Sequence, residues 1–404
     1  MGMNGTPASD RVHIGFFGRR NAGKSSIVNA VTGQELAIVS PVKGTTTDPV
    51  YKTMELLPMG PVMIIDTPGI DDEGTLGRQR VKKTRQVLNK TDVAVLVVDG
   101  TAGMTDVDRE LVELFKEKKL SYKVVFNKAD LCDIKSLEKD EHHIWVSAET
   151  GEGIHELKEE IARLSVQDEP ERRIISDMIT GGDFLVLVVP VDKAAPKGRL
   201  ILPQQQTIRD ILDGDGTAIV VKEYELKNTL NKLGCKPRMV ITDSQAFAEV
   251  SRDTPTDIPL TSFSILFARY KGNLEPAVRG VRALEHLKEG DSILIAEGCT
   301  HHRQCDDIGT VKLPRWIEQY TGKHFNYQWT SGTEFPEDLT GYQLVVHCGG
   351  CMLNEREMQY RQRHAGDQKV PMTNYGILIA YTQGILKRSL EPFPEISQLL
   401  TGEV

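Results

Sequence analysis

The chain has 404 residues, of which 39% are hydrophobic and 26% are charged, which predicts two to four globular domains with sizeable cores. Its net charge of −8 argues against a broad nucleic-acid-binding surface. No apolar run approaches the ~20 residues of a membrane span, and residues 1–10 lack the pattern of a signal peptide, so we expect a cytoplasmic protein with no membrane and no nucleic-acid partner.

The first predicted strand, residues 11–17, runs into G-R-R-N-A-G-K-S at residues 18–25, and a helical stretch at 26–31 follows. This is the phosphate loop of nucleotide-binding proteins in its required strand–loop–helix context. Lys24 supplies a positive charge to the outer phosphates, and Ser25 offers a hydroxyl to Mg²⁺. Helix N-termini favour anions. The predicted nucleotide-binding residues of this loop are Asn21, Ala22, Gly23, Lys24, Ser25 and Ser26.

Two further segments fit the terminal phosphate of a nucleotide. Thr46 lies in a G-T-T-T-D loop after the first helix, where a threonine can close over Mg²⁺ and the phosphate. Asp66 and Gly69 end a predicted hairpin, strands 51–57 and 62–65, in the sequence D-T-P-G. We expect Asp66 to hold Mg²⁺ through water and the Gly69 amide to sense the phosphate. Lys24, Thr46 and Gly69 are therefore the predicted catalytic residues, and Ser25, Thr46 and Asp66 the magnesium ligands.

The base is expected to bind after two more parallel strands, 92–99 and 122–126. The second ends in N-K-A-D, and its Asp130 can accept hydrogen bonds from N1–H and the amino group of guanine. Adenine lacks this pair of donors, so a buried acceptor would reject it. The predicted base-binding residues are Asn127, Lys128, Asp130, Ser147 and Ala148. Five motifs in this order predict GTP and GDP as ligands.

This first segment, 1–166, resembles the bacterial GTPases of tRNA modification and ribosome assembly (TrmE and Era). Asn21 matches an asparagine that, in the potassium-activated members, helps hold K⁺ beside the phosphates, where it neutralises transition-state charge. An ordinary turn residue is the alternative interpretation of Asn21. Ile70 stands where Ras-like enzymes have a water-orienting glutamine. The resemblance thus implies a slow GTPase that K⁺ stimulates.

A polar linker at 167–173 separates this segment from a second α/β pattern. Predicted strands occupy 183–191, 218–224, 238–242 and 262–267, with a helix at 204–212. The segment 174–266 carries no catalytic constellation of residues. We expect a structural or interaction domain.

The last segment, 268–404, again alternates strands and helices, which predicts a small parallel sheet. The predicted helices lie at 274–287, 311–320, 354–363 and 374–386, and the predicted strands at 291–296, 325–329 and 342–346.

Three of the six cysteines follow two of these strands: Cys299 after the first, and Cys348 and Cys351 after the last. Parallel strands end at one edge of a sheet, which would bring the three thiols together. Three soft ligands fit either zinc or an iron–sulfur cluster. The candidates for a fourth ligand are His301, His302, Cys305 and His347. Redox chemistry at a dithiol is less favoured, because the thioredoxin pattern around the pair is missing.

Cys299-x-His301 followed by His347-Cys348-x-x-Cys351 resembles the signature of the HydF family, GTPases that mature iron-only (FeFe) hydrogenase, and the likeness covers the whole chain. It implies a 4Fe-4S cluster on the three cysteines, with His301 or His347 as an occasional fourth ligand, and a homodimer formed by the middle domain. It also implies a scaffold or carrier that receives a transient diiron precursor through the radical-SAM maturases HydE and HydG and delivers it to the apo-hydrogenase.

The predicted fold class is therefore α/β: a P-loop GTPase domain, a small α/β dimerisation domain and an α/β iron–sulfur domain with a parallel sheet. The alternative is a zinc-stabilised GTPase that assists ribosome or RNA assembly. The acidic balance counts against this alternative.

Overall fold

The computed structural model describes residues 6–34, 49–69, 83–132, 141–165, 173–190, 200–272, 274–298, 307–332 and 334–400. The chain divides into two compact units, 1–169 and 170–404. Several residues with predicted roles lie outside the described ranges, and their roles stay predictions: Thr46, Ile70, Cys299, His301, His302 and Cys305.

The first unit contains a six-stranded sheet in the order β2-β3-β1-β4-β5-β6, and only β2 is antiparallel to its neighbour. Its strands are β1 (Val12–Phe17), β2 (Val50–Leu56), β3 (Gly60–Asp66), β4 (Val93–Asp99), β5 (Ser121–Asn127) and β6 (His143–Trp145). Its helices are α1 (Lys24–Thr32), α2 (Asp106–Glu117) and α3 (Ile154–Ser165), with a further helical segment at 83–88.

Successive side chains of the central strands point to opposite faces of this sheet and form a hydrophobic core on each face. Phe16 packs with Ile27 and Ile161 on one face, and Phe17 packs with Leu96 and Phe115 on the other. Such strands are apolar throughout because both faces are covered. The predicted α/β architecture with a mostly parallel sheet is confirmed for this unit.

The second unit contains two four-stranded sheets, and every strand in them is parallel to its neighbours. The first has the order β10-β9-β7-β8 and consists of β7 (Phe184–Val188), β8 (Thr217–Val221), β9 (Met239–Thr242) and β10 (Leu260–Ser262). The helices that accompany it are α4 (Leu202–Asp213), α5 (Leu226–Lys232), α6 (Phe247–Asp253) and α7 (Phe263–Tyr270).

The second sheet has the order β12-β11-β13-β14. Its strands are β11 (Ser292–Glu297), β12 (Asn326–Ser331), β13 (Leu344–His347) and β14 (Met372–Asn374). The helices around it are α8 (Leu274–Val281), α9 (Leu313–Thr321), α10 (Glu355–Asp367), α11 (Tyr375–Thr382), α12 (Leu386–Ser389) and α13 (Pro394–Ser397). Ala296 lies opposite His347 in the β11–β13 pair, so these strands end together.

A single hydrophobic core joins the two sheets of this unit. Leu187 of the first sheet and Ile295 and Val346 of the second belong to it, together with Phe247 and Ile265 from helices. The boundaries predicted between 174–266 and 268–404 therefore fall within one packed body, and they stay predictions.

Two sequence assignments in this unit are wrong. Residues 262–267 were expected to form a strand, but α7 begins there, because Ser262 caps it by accepting a hydrogen bond from the Ile265 amide. A short apolar run does not distinguish a strand from a buried helix. The helix expected at 374–386 ends at Thr382, two residues before Gly384, whose φ is 72°, and the strand β14 just before this helix was not predicted. Within the described ranges, no helix combines the length and apolar character that crossing a bilayer needs.

Candidate nucleotide site and cysteine loop

The phosphate loop leads from β1 into α1 with the geometry that its glycines allow. Gly23, which precedes the first helical residue, has φ of 89°. A Cβ at this position would lie 2.1 Å from Nδ2 of Asn127, so a side chain is excluded by both the backbone conformation and the space. The phosphate loop therefore lies directly against Asn127, in the segment predicted to bind the base.

Lys24 is buried at the start of α1, and its Nζ donates a hydrogen bond to the carbonyl oxygen of Arg19, 3.1 Å away. The ammonium group thus lies over its own loop. Phosphate oxygens are stronger acceptors for an ammonium group than a neutral carbonyl, so this position suits the predicted role of Lys24.

The oxygen donors expected for Mg²⁺ lie next to each other. Ser25 Oγ donates to Asp66 Oδ2 over 3.1 Å, and Asp66 Oδ1 is buried without a hydrogen-bond partner among the described residues. Burial raises the pKa of Asp66, although the Lys24 charge opposes this. An unsatisfied buried carboxylate oxygen beside a hydroxyl fits a hard cation that takes oxygen ligands.

The residues predicted to bind the base are hydrogen-bonded to one another. The buried Asn127 donates from Nδ2 to the Ala22 carbonyl oxygen and accepts at Oδ1 from the Ala148 amide, both over 3.1 Å. Asp130 accepts a hydrogen bond from Ser147 Oγ. The structure thus brings together the segments around 22, 127 and 148 that the sequence analysis assigned to one site. Lys128 pairs with Asp99 at the end of β4, a partner that the motif did not reveal.

Asn21 has φ of 62° in the left-handed region, which asparagine tolerates better than most residues. This conformation fits a turn residue as well as a K⁺ ligand, so the potassium role stays a prediction. Gly69 is the last described residue before Ile70.

Gly298, at the end of β11, meets the Cys348–Cys351 loop at the end of β13. The amides of Gly298 and Gly350 donate to Cys348 Sγ over 3.0 and 3.4 Å. A Cβ on Gly298 would lie 2.8 Å from Cγ of Leu353, so glycine permits this close approach. Burial raises the pKa of the Cys348 thiol. The predicted meeting of the two strand ends is confirmed as far as Gly298, the last described residue before Cys299.

His347 directly precedes this loop, and both of its ring nitrogens form hydrogen bonds. Arg361 Nη1 donates to Nε2 over 3.0 Å, so the ring proton is on Nδ1, which donates to the Cys348 carbonyl oxygen over 2.7 Å. Burial, together with the Arg361 charge, lowers the pKa of His347 to about 3. Ligation of a metal by His347 would require one of these bonds to break, and its role as an occasional ligand stays a prediction.

Arg361 is fully buried, which the sequence did not indicate. Its Nε donates to Glu357 Oε1 and its Nη2 to the Gly332 carbonyl oxygen, each over 2.8 Å, and its guanidinium lies 5.0 Å from the Phe335 ring. This network, on α10, fixes the orientation of the His347 ring. A second buried cation, Lys271, donates to the Leu353 carbonyl oxygen at the end of the cysteine loop over 2.8 Å.

No group of three metal-ligating side chains occurs within the ranges that the structure describes. Cys348 and Cys351 are two of the three predicted cysteine ligands, and the third, Cys299, lies outside those ranges together with His301 and Cys305.

The first unit is a P-loop GTPase domain: one sheet carries the phosphate loop, the Ser25–Asp66 pair and the Asn127 segment. Residues 13–128 match the family model of the 50S ribosome-binding GTPases. Residues 174–272 match the hydrogen maturase F dimerization domain, and 275–392 match the hydrogen maturase F tetramerization domain. These two models together cover more than half of the chain. The protein belongs to the hydrogen maturase F (HydF) family, the hydrogenase maturation GTPases.

Curated relatives resemble the GTPase part of the chain. GTPase Der of Wolinella succinogenes is 34% identical over 187 residues, or 43% of this chain and 39% of the relative. The tRNA modification GTPase MnmE of Roseiflexus sp. (strain RS-1) is 38% identical over 164 residues, or 37% of this chain and 35% of the relative. The match thus spans less than half the length of either relative.

Among solved structures, Era in complex with MgGDPNP and nucleotides of 16S ribosomal RNA is 21% identical, with a TM-score of 0.35 over 52% of this chain and 94% of that one. The probable GTP-binding protein EngB is 24% identical, with a TM-score of 0.31 over 38% of this chain and 98% of that one. TM-scores this low support no further argument.

Proposed function

We propose that this protein hydrolyses GTP and holds a 4Fe-4S cluster on Cys299, Cys348 and Cys351. In this role it serves as scaffold or carrier for the diiron precursor of FeFe-hydrogenase, its transient substrate. The single observation that carries the proposal is the parallel pairing of β11 with β13, which brings the Gly298 amide to Cys348 Sγ. Gly298, which contacts Cys348, is the residue directly before Cys299. Since consecutive Cα atoms are only 3.8 Å apart, the chain has already reached the cysteine pair at this point.

The donors at this loop suit a cluster. Cysteine thiolates are the usual ligands of iron–sulfur centres, and hydrogen bonds from backbone amides to sulfur help set their potentials. Gly298 and Gly350 already supply such amides to Cys348 Sγ. When bound, a cluster with three cysteine ligands supplies one iron with an exchangeable position, at which a diiron unit can dock. His301 or His347 is the proposed weak competitor for that position.

The GTPase half of the proposal depends on Lys24, Ser25 and Asp66, whose arrangement fits Mg²⁺ and phosphate, and on the Asn127–Asp130 segment for guanine. We expect Thr46 to join them when GTP is bound. HydE and HydG are the proposed suppliers of the diiron precursor, and the apo-hydrogenase is its acceptor.

The chain carries both a dimerization and a tetramerization domain of its family, so it forms oligomers. The family resemblance implies a homodimer. A homodimer that pairs into a higher assembly fits both domains, and light scattering of the purified protein tests this.

The decisive experiment is anaerobic purification followed by a maturation assay with apo-hydrogenase, for the wild type, Cys348→Ala and Lys24→Ala. We expect brown wild-type protein that contains iron and sulfide, loss of both iron and maturation in Cys348→Ala, and retained iron in Lys24→Ala. Colourless wild-type protein that contains zinc would contradict the cluster and favour the assembly-factor alternative. Full maturation by Cys348→Ala would contradict the scaffold role.

Potassium stimulation is tested by GTP hydrolysis in KCl and in NaCl at equal ionic strength. The proposal expects a faster rate in KCl for the wild type and no difference between the salts for Asn21→Ala. Equal wild-type rates in the two salts would identify Asn21 as a turn residue.

A further inference from the structure

The edge strands of the sheets differ in how well they are protected against pairing with another chain. An edge strand usually carries charged residues or proline, is very short or is covered, because its free backbone groups otherwise recruit a further strand. In the first unit, the edge strand β2 carries the exposed Lys52 and Glu55. In the second unit, the edge strands β10 and β14 have only three residues each and are largely buried.

The strand β12, at the other edge of the second sheet, has none of these protections. It is six residues long, and its sequence N-Y-Q-W-T-S contains no charged residue and no proline. Gln328 and Trp329 are exposed, Trp329 by 39%. Within the described ranges, no strand pairs with the side of β12 that faces away from β11. This edge is therefore open to a further strand.

The backbone groups of alternate residues of β12 point away from β11. The Asn326 amide donates to the residue just before β11 over 2.9 Å, so the alternation along the strand directs the N–H and C=O groups of Tyr327 and Trp329 outward. The carbonyl oxygen of Ser331 already accepts a hydrogen bond from the Glu334 amide. A further strand can thus form its hydrogen bonds with Tyr327 and Trp329.

The further strand that fits this edge is β12 of a second copy of the chain. Residues 275–392, which include β12, match the tetramerization domain of the family. Two antiparallel copies of β12, related by a two-fold axis at Gln328, would pair Tyr327 of each copy with Trp329 of the other. The strand carries no charge that would repel its own copy, and aromatic pairs across strands are stabilising.

The two sheets of the second unit have the same topology. In each sheet, the second strand in chain order is an edge strand that pairs with the first, and this strand is β8 or β12. The part of the chain that matches the dimerization domain contains β8, and the part that matches the tetramerization domain contains β12. A tetramer built from two kinds of two-fold contact needs two separate surfaces, and such contacts close on themselves rather than growing into a filament.

We propose that β12 pairs with β12 of a second copy across a two-fold axis at Gln328, so that the second sheets of two copies form one continuous sheet. The inference rests on the proposed function, since it names the surface through which homodimers form the higher assembly. The neighbour of β12 is β11, and the strand β11 leads to Cys299. The continuous sheet would therefore connect the cysteine-bearing strands of two copies.

The test uses the position of Gln328 opposite its own counterpart. In the full-length chain, Gln328→Glu and Gln328→Lys each place like charges opposite each other across the axis. Gln328→Glu also keeps an acceptor for Tyr342, whose hydroxyl donates to Gln328 Oε1 over 2.6 Å. Gln383→Glu and Gln383→Lys change an exposed glutamine of the same unit and are the matched controls. Sedimentation velocity and mass photometry measure the assembly, and circular dichroism monitors the fold.

We expect the wild type and both Gln383 variants to form assemblies of four chains. In each Gln328 variant alone, the dissociation constant of this assembly should rise about 10- to 100-fold, because like charges face each other across the interface. An equal mixture of Gln328→Glu and Gln328→Lys should restore the assembly, because opposite charges then meet at the axis.

Assembly of wild-type strength in both Gln328 variants would overturn the inference, and so would a mixture that assembles no better than its separate components. If Gln328→Lys does not fold, the nearly isosteric Gln328→Glu decides the matter by the same change in dissociation constant. A wild-type protein that forms nothing larger than a dimer would instead contradict the higher assembly of the proposed function, so the two failures are distinguishable.

Discussion

Both candidate sites lie where parallel strands end, the phosphate loop after β1 and the cysteine loop after β13, but they are held in place differently. In the nucleotide site, motif residues bind other motif residues. Asn127 bonds to Ala22 and Ala148, and Ser25 bonds to Asp66. The motifs that are predicted to recognise the ligand therefore also build the site.

The cysteine loop depends on residues that belong to no motif. Arg361 holds His347 from α10, and Lys271 holds Gly350 and Leu353 from the end of α7. Both supporting side chains are buried cations. The comparison teaches that a thiol site takes its geometry and its electrostatic field from the surrounding core, whereas the nucleotide site is largely self-contained.

The largest effect is expected at Arg361. Arg361→Met leaves the buried Glu357 carboxylate without its cation, and breaking such a pair costs about 3–5 kcal/mol. Urea unfolding measures the change, with Trp145→Phe as the background. Tryptophan fluorescence then reports on the second unit alone, because the other two of the three tryptophans are Trp316 and Trp329.

Arg363→Met is the matched control, since Arg363 is exposed on the same helix. Adding Glu357→Gln to Arg361→Met should restore part of the lost stability, because the unpaired charge is then gone. If Arg361→Met were no more destabilised than Arg363→Met, the cysteine loop would be as self-contained as the nucleotide site.

A smaller effect, confined to ligand binding, is expected at Asp130. This residue is exposed and accepts a hydrogen bond from Ser147. Asp130→Ala should weaken GTP binding about 10- to 100-fold, because an unpaired donor or acceptor costs about 1–3 kcal/mol. Calorimetric titration with GTP and ATP measures it. Glu149→Ala, at an exposed neighbouring acid, should bind GTP normally.

Unfolding of the nucleotide-free protein should be almost unchanged in Asp130→Ala, in contrast to Arg361→Met. A large loss of stability in Asp130→Ala would show that the base loop also supports the fold, and the distinction between the two sites would weaken.

The smallest effect is expected at Thr67, in the D-T-P-G segment. Its buried hydroxyl donates to the Phe16 carbonyl oxygen over 2.6 Å, so it ties the end of β3 to β1. Thr67→Val removes one hydrogen bond at nearly constant volume and should cost about 1 kcal/mol. Thermal unfolding measures this against Thr53→Val, an exposed position on β2. An equal melting temperature in the two variants would contradict the structural role of the hydroxyl.

Much of the GTPase fold could be predicted because its signals are local. A strand, a glycine-rich loop with Lys24 and Ser25, and a helix follow one another within a few residues, and the backbone of Gly23 adopts the positive φ that such a loop needs. The parallel course of β11 and β13 was also predictable, since both are apolar runs that end in glycine and cysteine.

Secondary structure could not be predicted correctly where one local sequence pattern is compatible with two structures. The apolar run after Ser262 suits a strand or a helix, and the cap that Ser262 provides decides for α7. Lys271 and Arg361 gave no signal, because a lysine after a helix and an arginine within the polar helix α10 are usually solvated.

The sequence by itself determined which chemical groups the protein presents: the phosphate loop, the segment predicted to bind guanine and the cysteines at two strand ends. Only the tertiary structure decided which charged side chains contact the cysteine loop and how the His347 ring is oriented. The reason is physical. Covalent spacing fixes the members of a local motif, whereas the burial of a cation depends on the core that packs around it, and that core is assembled from segments far apart along the chain.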